Sequence, residues 1–266
     1  MKTSIAKLAL GLTLVSMSSV AMAGIANTKH NLGGSYNAGN GGAGWNFNDA
    51  TTEICVFCHT PHGADSTAAV PLWNRTLSTA SYNTYASLGT STLDSASTTV
   101  GSVSLACLSC HDGTQAMNTV INSPGSGTTG DVGSGSGTGP HGWVEFQAMS
   151  DVSGEMIYIG TDLRNDHPIS IQYAGAVNGH GANDPDFNAA NSTTVASGTT
   201  VWYIDTGTAG KQKTDLPLYN RVGGSLSGQA LVECATCHDP HTQTTTFLRN
   251  PAGNNGSATC LSCHTK

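Results

Sequence analysis

The sequence predicts a chain that is mostly coil, with short helices at one repeated motif and a few short β-strands. Three observations lead to this expectation. Helical periodicity is weak along the whole chain, apart from the turns expected at the repeated cysteine motif. Aromatic residues make up only 6% and long apolar runs are few, so side chains alone supply little core. Glycine occurs 33 times and favours turns and loops over regular elements.

The N-terminus has the pattern of a secretory signal peptide over residues 1–23. Lys2 and Lys7 form a basic start, an apolar run follows, and Ala21-Met22-Ala23 is an A-x-A cleavage signature. An uncleaved membrane anchor is the alternative, but the run is short for a span of about 20 residues. No later segment is apolar enough to cross a bilayer. We therefore expect a protein exported through the periplasm and secreted, either extracellular or at the cell surface.

The charge pattern argues against nucleic acid as a partner. Removing Lys2 and Lys7 with the signal changes the formal net charge from −7 to −9, and the remaining Lys and Arg form no basic stripe. Charged residues make up only 10% of the chain, against about 25% in typical soluble domains. Such a surface offers little electrostatic repulsion between copies of the chain.

All eight cysteines fall into four copies of C-x-x-C-H, each with a histidine directly after the second cysteine. The copies are Cys55/Cys58/His59, Cys107/Cys110/His111, Cys234/Cys237/His238 and Cys260/Cys263/His264. This is the attachment pattern of c-type haem, in which two thiols form thioethers and the histidine binds iron. Zinc, a thioredoxin-like redox pair and a disulfide framework are the alternatives. None of them requires a histidine at the same offset from every pair.

The motif count predicts four covalently bound haems c, and hence a haem-dominated multihaem cytochrome c fold. The haem discs would form the main core, and we expect the apoprotein not to fold. The domain prediction is a single tetrahaem domain over 24–266, with a flexible N-terminal arm over 24–50. A long insert, 112–233, separates the second and third motifs and is glycine-rich at 122–142. Its strand-like runs lie at 156–160, 169–173 and 200–204.

Each haem iron of an electron-transfer protein usually takes a second axial ligand. After the signal, the chain keeps three methionines, which are too few, and six histidines outside the motifs. The methionines are Met117, Met149 and Met156, and the histidines are His30, His62, His141, His167, His180 and His241. We therefore expect bis-histidine, low-potential haems. His30 and His167 are favoured as ligands beside His62 and His241, whereas His141 and His180 are as well explained as loop histidines.

His62 and His241 stand in a repeated H-x-P-H context, three residues after a motif histidine. In each repeat, which we call a bracket, the second histidine is on the same side of the haem as the first. It cannot pass around the rim to the opposite face. We therefore predict that His62 and His241 each bind the iron of a haem attached by another motif, and so hold two haems close together.

The segments "TKHNL", "EICVFCHTPHG", "LSCHDG", "NDHPI" and "VECATCHDPH", with a final C-x-x-C-H, resemble the secreted tetrahaem cytochromes of the OmcE type. The resemblance implies polymerisation into extracellular filaments with a continuous haem chain. It also implies His30, His62, His167 and His241 as distal ligands. In such filaments a histidine of one subunit completes a haem of its neighbour. His30 is the favoured candidate for that role here, although the arm is also long enough to fold back.

The function expected from these features is extracellular electron transfer, without an enzymatic reaction, to redox partner cytochromes or external acceptors. A periplasmic or surface tetrahaem carrier that does not polymerise is the first alternative. A multihaem oxidoreductase is the second, and it would need an open iron coordination site, whereas the histidines here exceed the demand. A structural sheath protein is the third.

Overall fold

The computed structural model describes residues 24–32, 53–91, 93, 95–115, 120–122, 158–175, 184–207, 209–221 and 224–265. Most of these residues form turns, bends and coil. The regular elements are three short α-helices, several 3₁₀ turns and two small antiparallel sheets within the described part of the chain. The expectation of a mostly coil chain with short helices and strands is confirmed.

The short helices coincide with the cysteine motifs. Helix α1 spans Ser102–His111, α2 spans Cys234–Cys237 and α3 spans Ala258–Cys263, whereas the first motif forms a 3₁₀ turn over Cys55–Phe57. Glu233 precedes α2 and forms a reciprocal capping box with Thr236, which explains why so short a helix is stable. None of the helices in the described residues is long and apolar enough to span a bilayer.

Five short strands form the two sheets. Strand β1 (Ile171–Gln172) pairs antiparallel with β5 (Leu231–Val232). Strands β2 (Asn191–Thr194), β3 (Thr200–Ile204) and β4 (Leu216–Leu218) form a three-stranded antiparallel sheet in that order. Trp202 lies opposite both Ser192 and Leu218 in the register. The sheets bring the long insert back against the third motif, because β5 ends directly before Glu233.

The three strand predictions had different outcomes. The run at 200–204 is β3, and the run at 169–173 contributes only its third and fourth residues as β1. Residues 158–160 of the run at 156–160 are coil, and the first two residues of that run lie outside the described residues. Here the backbone N–H groups of Ile159 and Gly160 both donate to the carbonyl of His111, and Gly160 has a positive φ of 78°. These bonds replace a strand ladder.

The insert contains an apolar core made of side chains. Its buried members are Tyr173, Ala174, Ile204, Leu216, Leu218 and Ala230, with Phe187, Trp202 and Cys263 packed at the edge. Sequence reasoning assigned the core mainly to haem, because the apolar residues here are scattered over separate short runs. The sheet gathers them into one cluster, and Cys263 connects that cluster to the last motif.

Residues 24–32 open the predicted flexible arm but are packed onto the protein. Gly24–Asn27 form a 3₁₀ turn, and the Gly24 N–H donates to the carbonyl of His241 at 3.1 Å. Asn31 is fully buried, and Leu32 packs against Phe57 of the first motif. The rest of the arm, 33–50, and the glycine-rich tract after Asn122 lie outside the described residues.

Candidate haem site

The eight cysteines are all free thiols, so no disulfide framework links them. Burial raises the pKa of Cys58 to about 12 and that of Cys237 to about 11. In the part of the chain that the structure describes, no three His, Cys, Asp or Glu side chains converge as a metal-binding group. The disulfide and zinc alternatives therefore have no support in these residues.

The second and third motifs are in direct contact. A hydrogen bond between the Cys107 and Cys234 thiols, together with burial, raises the pKa of Cys107 well above its ordinary value. In the same place, the Cys234 N–H donates to Ser104 Oγ of α1 at 3.0 Å. Groups attached to these two motifs would therefore have neighbouring edges.

The first pair of histidines joins the first motif to the second bracket. The ring centroids of His59 and His241 are 6.1 Å apart, and the two rings are 17° from parallel. Two imidazoles on opposite sides of one iron have centroids about 6 Å apart, the sum of two metal–nitrogen bonds of about 2 Å and two ring radii of about 1 Å. His241 thus lies beside the histidine of a motif other than its own. That the two rings share an iron stays a prediction.

The second pair joins the N-terminal segment to the second motif. The ring centroids of His30 and His111 are 6.3 Å apart, and the rings are nearly perpendicular. Burial lowers the pKa of His30 to about 4, helped by the nearby His111, His241 and His238. The buried Nδ1 of His30 has no hydrogen-bond partner. A neutral imidazole in this position can bind a metal ion, since metal ligation requires the unprotonated form.

His167 lies near His264 of the last motif. Burial lowers the pKa of His167, and the nearby His264 lowers it further, against the opposing effect of the Pro168 carbonyl. The ring of His264 packs against Phe187 at a centroid distance of 4.4 Å. This contact connects the last motif to the apolar core of the insert.

Hydrogen bonds at Nδ1 orient four of the candidate ligand rings. His59 Nδ1 bonds to the Pro71 carbonyl at 2.7 Å, His238 Nδ1 to the Thr246 carbonyl at 2.8 Å and His167 Nδ1 to the Pro168 carbonyl at 3.0 Å. His241 Nδ1 instead bonds to Asp239 Oδ1 at 3.1 Å. A carbonyl or carboxylate only accepts, so each Nδ1 carries the proton and the Nε2 lone pair remains for iron. These residues fit an axial ligand set.

His62 and His238 are the two predicted ligands whose rings the structure does not pair with another histidine ring, although His238 lies near enough to His30 to lower its pKa. Both are exposed, and within the described residues neither ring stacks against another aromatic or histidine ring. His62 is positioned by its backbone, because its carbonyl accepts from Thr60 Oγ1 at 3.0 Å and from Asn122 Nδ2 at 2.9 Å. His141, His180, Met117, Met149 and Met156 lie outside the described residues.

Sequence reasoning missed two buried carboxylates that directly follow motif histidines. Asp112 accepts hydrogen bonds from Ser78 Oγ at 2.6 Å and from the Tyr82 hydroxyl at 2.5 Å. Asp239 accepts from the ring of His241, which holds the pKa of Asp239 at about 2. The available signal was the aspartate directly after C-x-x-C-H in the second and third motifs, where the other two motifs have threonine.

Residues 228–266, which hold the third and fourth motifs, match the family described as Doubled CXXCH motif. No curated protein matches the chain. The paired motif indicates a multihaem c-type cytochrome that carries electrons. The C-x-x-C-H motifs imply covalently bound haem c.

Proposed function

We propose that this protein binds four haems c with bis-histidine iron and carries electrons outside the cell, as subunits of a conductive filament. The observation that carries the proposal is the geometry of the histidine pairs. Two motif histidines lie 6.1 and 6.3 Å from a histidine of a distant segment. That separation matches about 6 Å for two imidazoles on one iron.

The first two ligand assignments follow the ring pairs at 6.1 and 6.3 Å, and the third rests on the nearness of His167 to His264. The haem of Cys55 and Cys58 is bound by His59 and His241, and that of Cys107 and Cys110 by His111 and His30. The haem of Cys260 and Cys263 is bound by His264 and His167. These three assignments leave His62 as the ligand opposite His238 on the haem of Cys234 and Cys237.

Bound haem supplies one-electron exchange at iron, and the chain supplies the surroundings. The Nδ1 hydrogen bonds fix the ring orientation, and the cysteine thiols fix the attachment points. Two histidines on each iron leave no open position for a substrate, which is why we propose a carrier rather than an enzyme. Its partners would be other cytochromes or extracellular acceptors.

Assembly is proposed to use His62. The sequence favoured His30 as the ligand shared between subunits, but the packing of His30 beside His111 of its own chain favours the fold-back alternative. His62 is exposed and held by its backbone, and the exposed His238 keeps Nε2 for iron because Nδ1 bonds to Thr246. We therefore propose that His62 of one copy completes the haem attached beside His238 of the next. The low surface charge allows this approach.

Haem counting and spectroscopy test the cofactor proposal. The pyridine haemochrome assay on the purified secreted protein should give four haems per chain, and EPR should show only low-spin ferric iron. Cys260→Ala with Cys263→Ala should remove one haem. A high-spin signal in the intact protein would contradict the bis-histidine assignment and favour an enzyme with an open iron.

Electron microscopy and conductance measurements on the secreted material test assembly. We expect conducting filaments from the unaltered chain and monomers with one high-spin haem from His62→Ala. His180→Ala serves as the matched control and should still polymerise. Monomers from the unaltered chain with four low-spin haems would instead identify a carrier that does not polymerise.

A further inference from the structure

The two H-x-P-H brackets differ chemically at the residue between their histidines. The first bracket has Thr60 and the second has Asp239. Thr60 Oγ1 donates to the backbone carbonyl of His62 and makes no hydrogen bond to the His62 ring. Asp239 bonds directly to the ring of His241. The two brackets therefore present unequal imidazoles to their irons.

The carboxylate of Asp239 is held in a fixed position. The residue is 6% exposed. Its Oδ1 accepts the His241 backbone N–H at 2.9 Å and the His241 Nδ1–H at 3.1 Å. Two cations lie farther away on the other oxygen, Arg249 at 3.6 Å and Lys213 at 3.9 Å. Lys213 is 71% exposed, so solvent screens its opposing charge, whereas Arg249 is 16% exposed and offsets part of the carboxylate's charge.

His241 differs from the other candidate ligands whose Nδ1 bond the structure gives. The rings of His59, His167 and His238 donate to neutral backbone carbonyls. A carboxylate acceptor draws more strongly on the ring proton, which makes the other ring nitrogen a better electron donor to a metal. The negative charge also favours ferric over ferrous iron, because reduction removes one positive charge from the site.

We propose that Asp239 is a positioning residue that lowers the reduction potential of the iron bound by His241. The inference rests on the proposed assignment of His241 as an axial ligand of the haem at Cys55 and Cys58. Among the ligands whose Nδ1 bond the structure gives, His241 is the one bonded to a carboxylate, and its haem is therefore the one whose ferric state such a bond stabilises most. The two brackets, similar in sequence, thereby set different potentials on neighbouring haems.

Asp239→Asn removes the negative charge of the side chain and keeps the geometry of the turn. Asparagine keeps a side-chain oxygen that can accept from the His241 backbone and ring, so the bracket keeps its hydrogen bonds and loses its anion. Asp162→Asn is the charge-matched control, because Asp162 is exposed and paired with Arg164. His241→Met identifies the relevant titration step, since a methionine ligand raises the potential of its own haem.

The experiment is a potentiometric titration of the holoprotein followed by absorption and EPR. In Asp239→Asn we expect the ferrous-to-ferric ratio of the His241 haem to rise about tenfold at the wild-type midpoint, equal to a shift of about 59 mV. The midpoint of the haem at His238, which directly precedes Asp239, should move less, and the other two midpoints should stay unchanged, as should all four in Asp162→Asn. Four low-spin haems with unaltered midpoints in Asp239→Asn would overturn the inference and leave the proposed function intact.

Two further variants keep the test decisive. Asp239→Thr, which gives the second bracket the residue that the first bracket has at this place, should raise the same midpoint. An unmoved midpoint there counts against the inference even if Asp239→Asn fails to fold. If His241→Met changes no midpoint and no spectrum, the ligand assignment itself fails, which is a failure of the proposed function and is recognised separately.

Discussion

Glu233 connects the second and third motifs through a single buried carboxylate, and its removal should be strongly destabilising. The side chain is 2% exposed and accepts from Arg221 Nη2 at 2.6 Å. Its other oxygen accepts from Ser104 Oγ of α1 at 2.6 Å and from Ser170 Oγ at 3.0 Å. The same carboxylate caps α2 by accepting an N–H of its first turn. One residue thus joins α1, α2 and the insert.

The expected cost of Glu233→Ala follows from these contacts. Losing an N-cap acceptor costs about 1 kcal/mol, and leaving the partner of a buried ion pair unpaired costs about 3–5 kcal/mol. The two effects overlap, and Arg221 keeps 20% exposure and the Thr99 carbonyl as an acceptor. We therefore expect a loss of about 3 kcal/mol, which lowers Tm by about 6–12 °C in a chain of this size.

The measurement is thermal unfolding of the holoprotein, followed by far-UV circular dichroism and by the Soret band. Glu233→Gln should fall between the wild type and Glu233→Ala, because it keeps the volume and loses the charge. Asp162→Ala removes an exposed ion pair and should leave Tm unchanged. A Tm for Glu233→Ala that equals that of the control would show that the Glu233 network does not hold the two motifs together.

Three more outcomes are expected. Leu231→Ala, at a fully buried position of β5, should cost about 2–5 kcal/mol in chemical denaturation; a loss below 1 kcal/mol would mean that the core repacks. Burial raises the pKa of Tyr173 above its usual value near 10, and its hydroxyl donates to the Asn188 carbonyl. The contribution of this hydroxyl to the free energy of unfolding is therefore complete below pH 10 and is lost as pH rises further. Tyr173→Phe should cost about 1 kcal/mol at pH 7 and should flatten the fall in stability at alkaline pH. An unchanged fall in stability at alkaline pH would contradict this. His141→Ala and His180→Ala should leave every haem low-spin by EPR, and a high-spin signal in either would identify a ligand that our assignment omits.

The regular elements could be predicted where their cause is local. The run "TVWYI" at 200–204 combines β-branched and aromatic residues and forms β3, as expected. The short strands at 191–194 and 216–218 carry no such signal and exist because they pair with β3. Likewise, the helices at the motifs were expected, but the buried contact between Ser104 and Glu233 joins residues 129 positions apart. No pattern within a short stretch of the sequence predicts such a contact.

The candidate site, too, could be predicted from the sequence only in part. The supply of histidines could be counted, but His241 beside His59 and His30 beside His111 are properties of the folded chain. The bracket argument predicted that His241 would lie away from its own motif, without saying which motif it would reach. Asp239 was overlooked because an aspartate beside a proline is typical of a turn. Only the structure shows that its carboxylate accepts a hydrogen bond from the His241 ring.

The sequence by itself determined the chemistry of attachment. Two thiols and an imidazole must follow one another closely to hold one haem, so four short motifs record that chemistry directly. Only the tertiary structure decided which histidine faces which motif. A second axial ligand must approach from the opposite face of a wide ring, so it comes from a distant segment whose position the whole fold sets. The same holds for Asp239, whose effect on His241 depends on burial and on a single hydrogen bond.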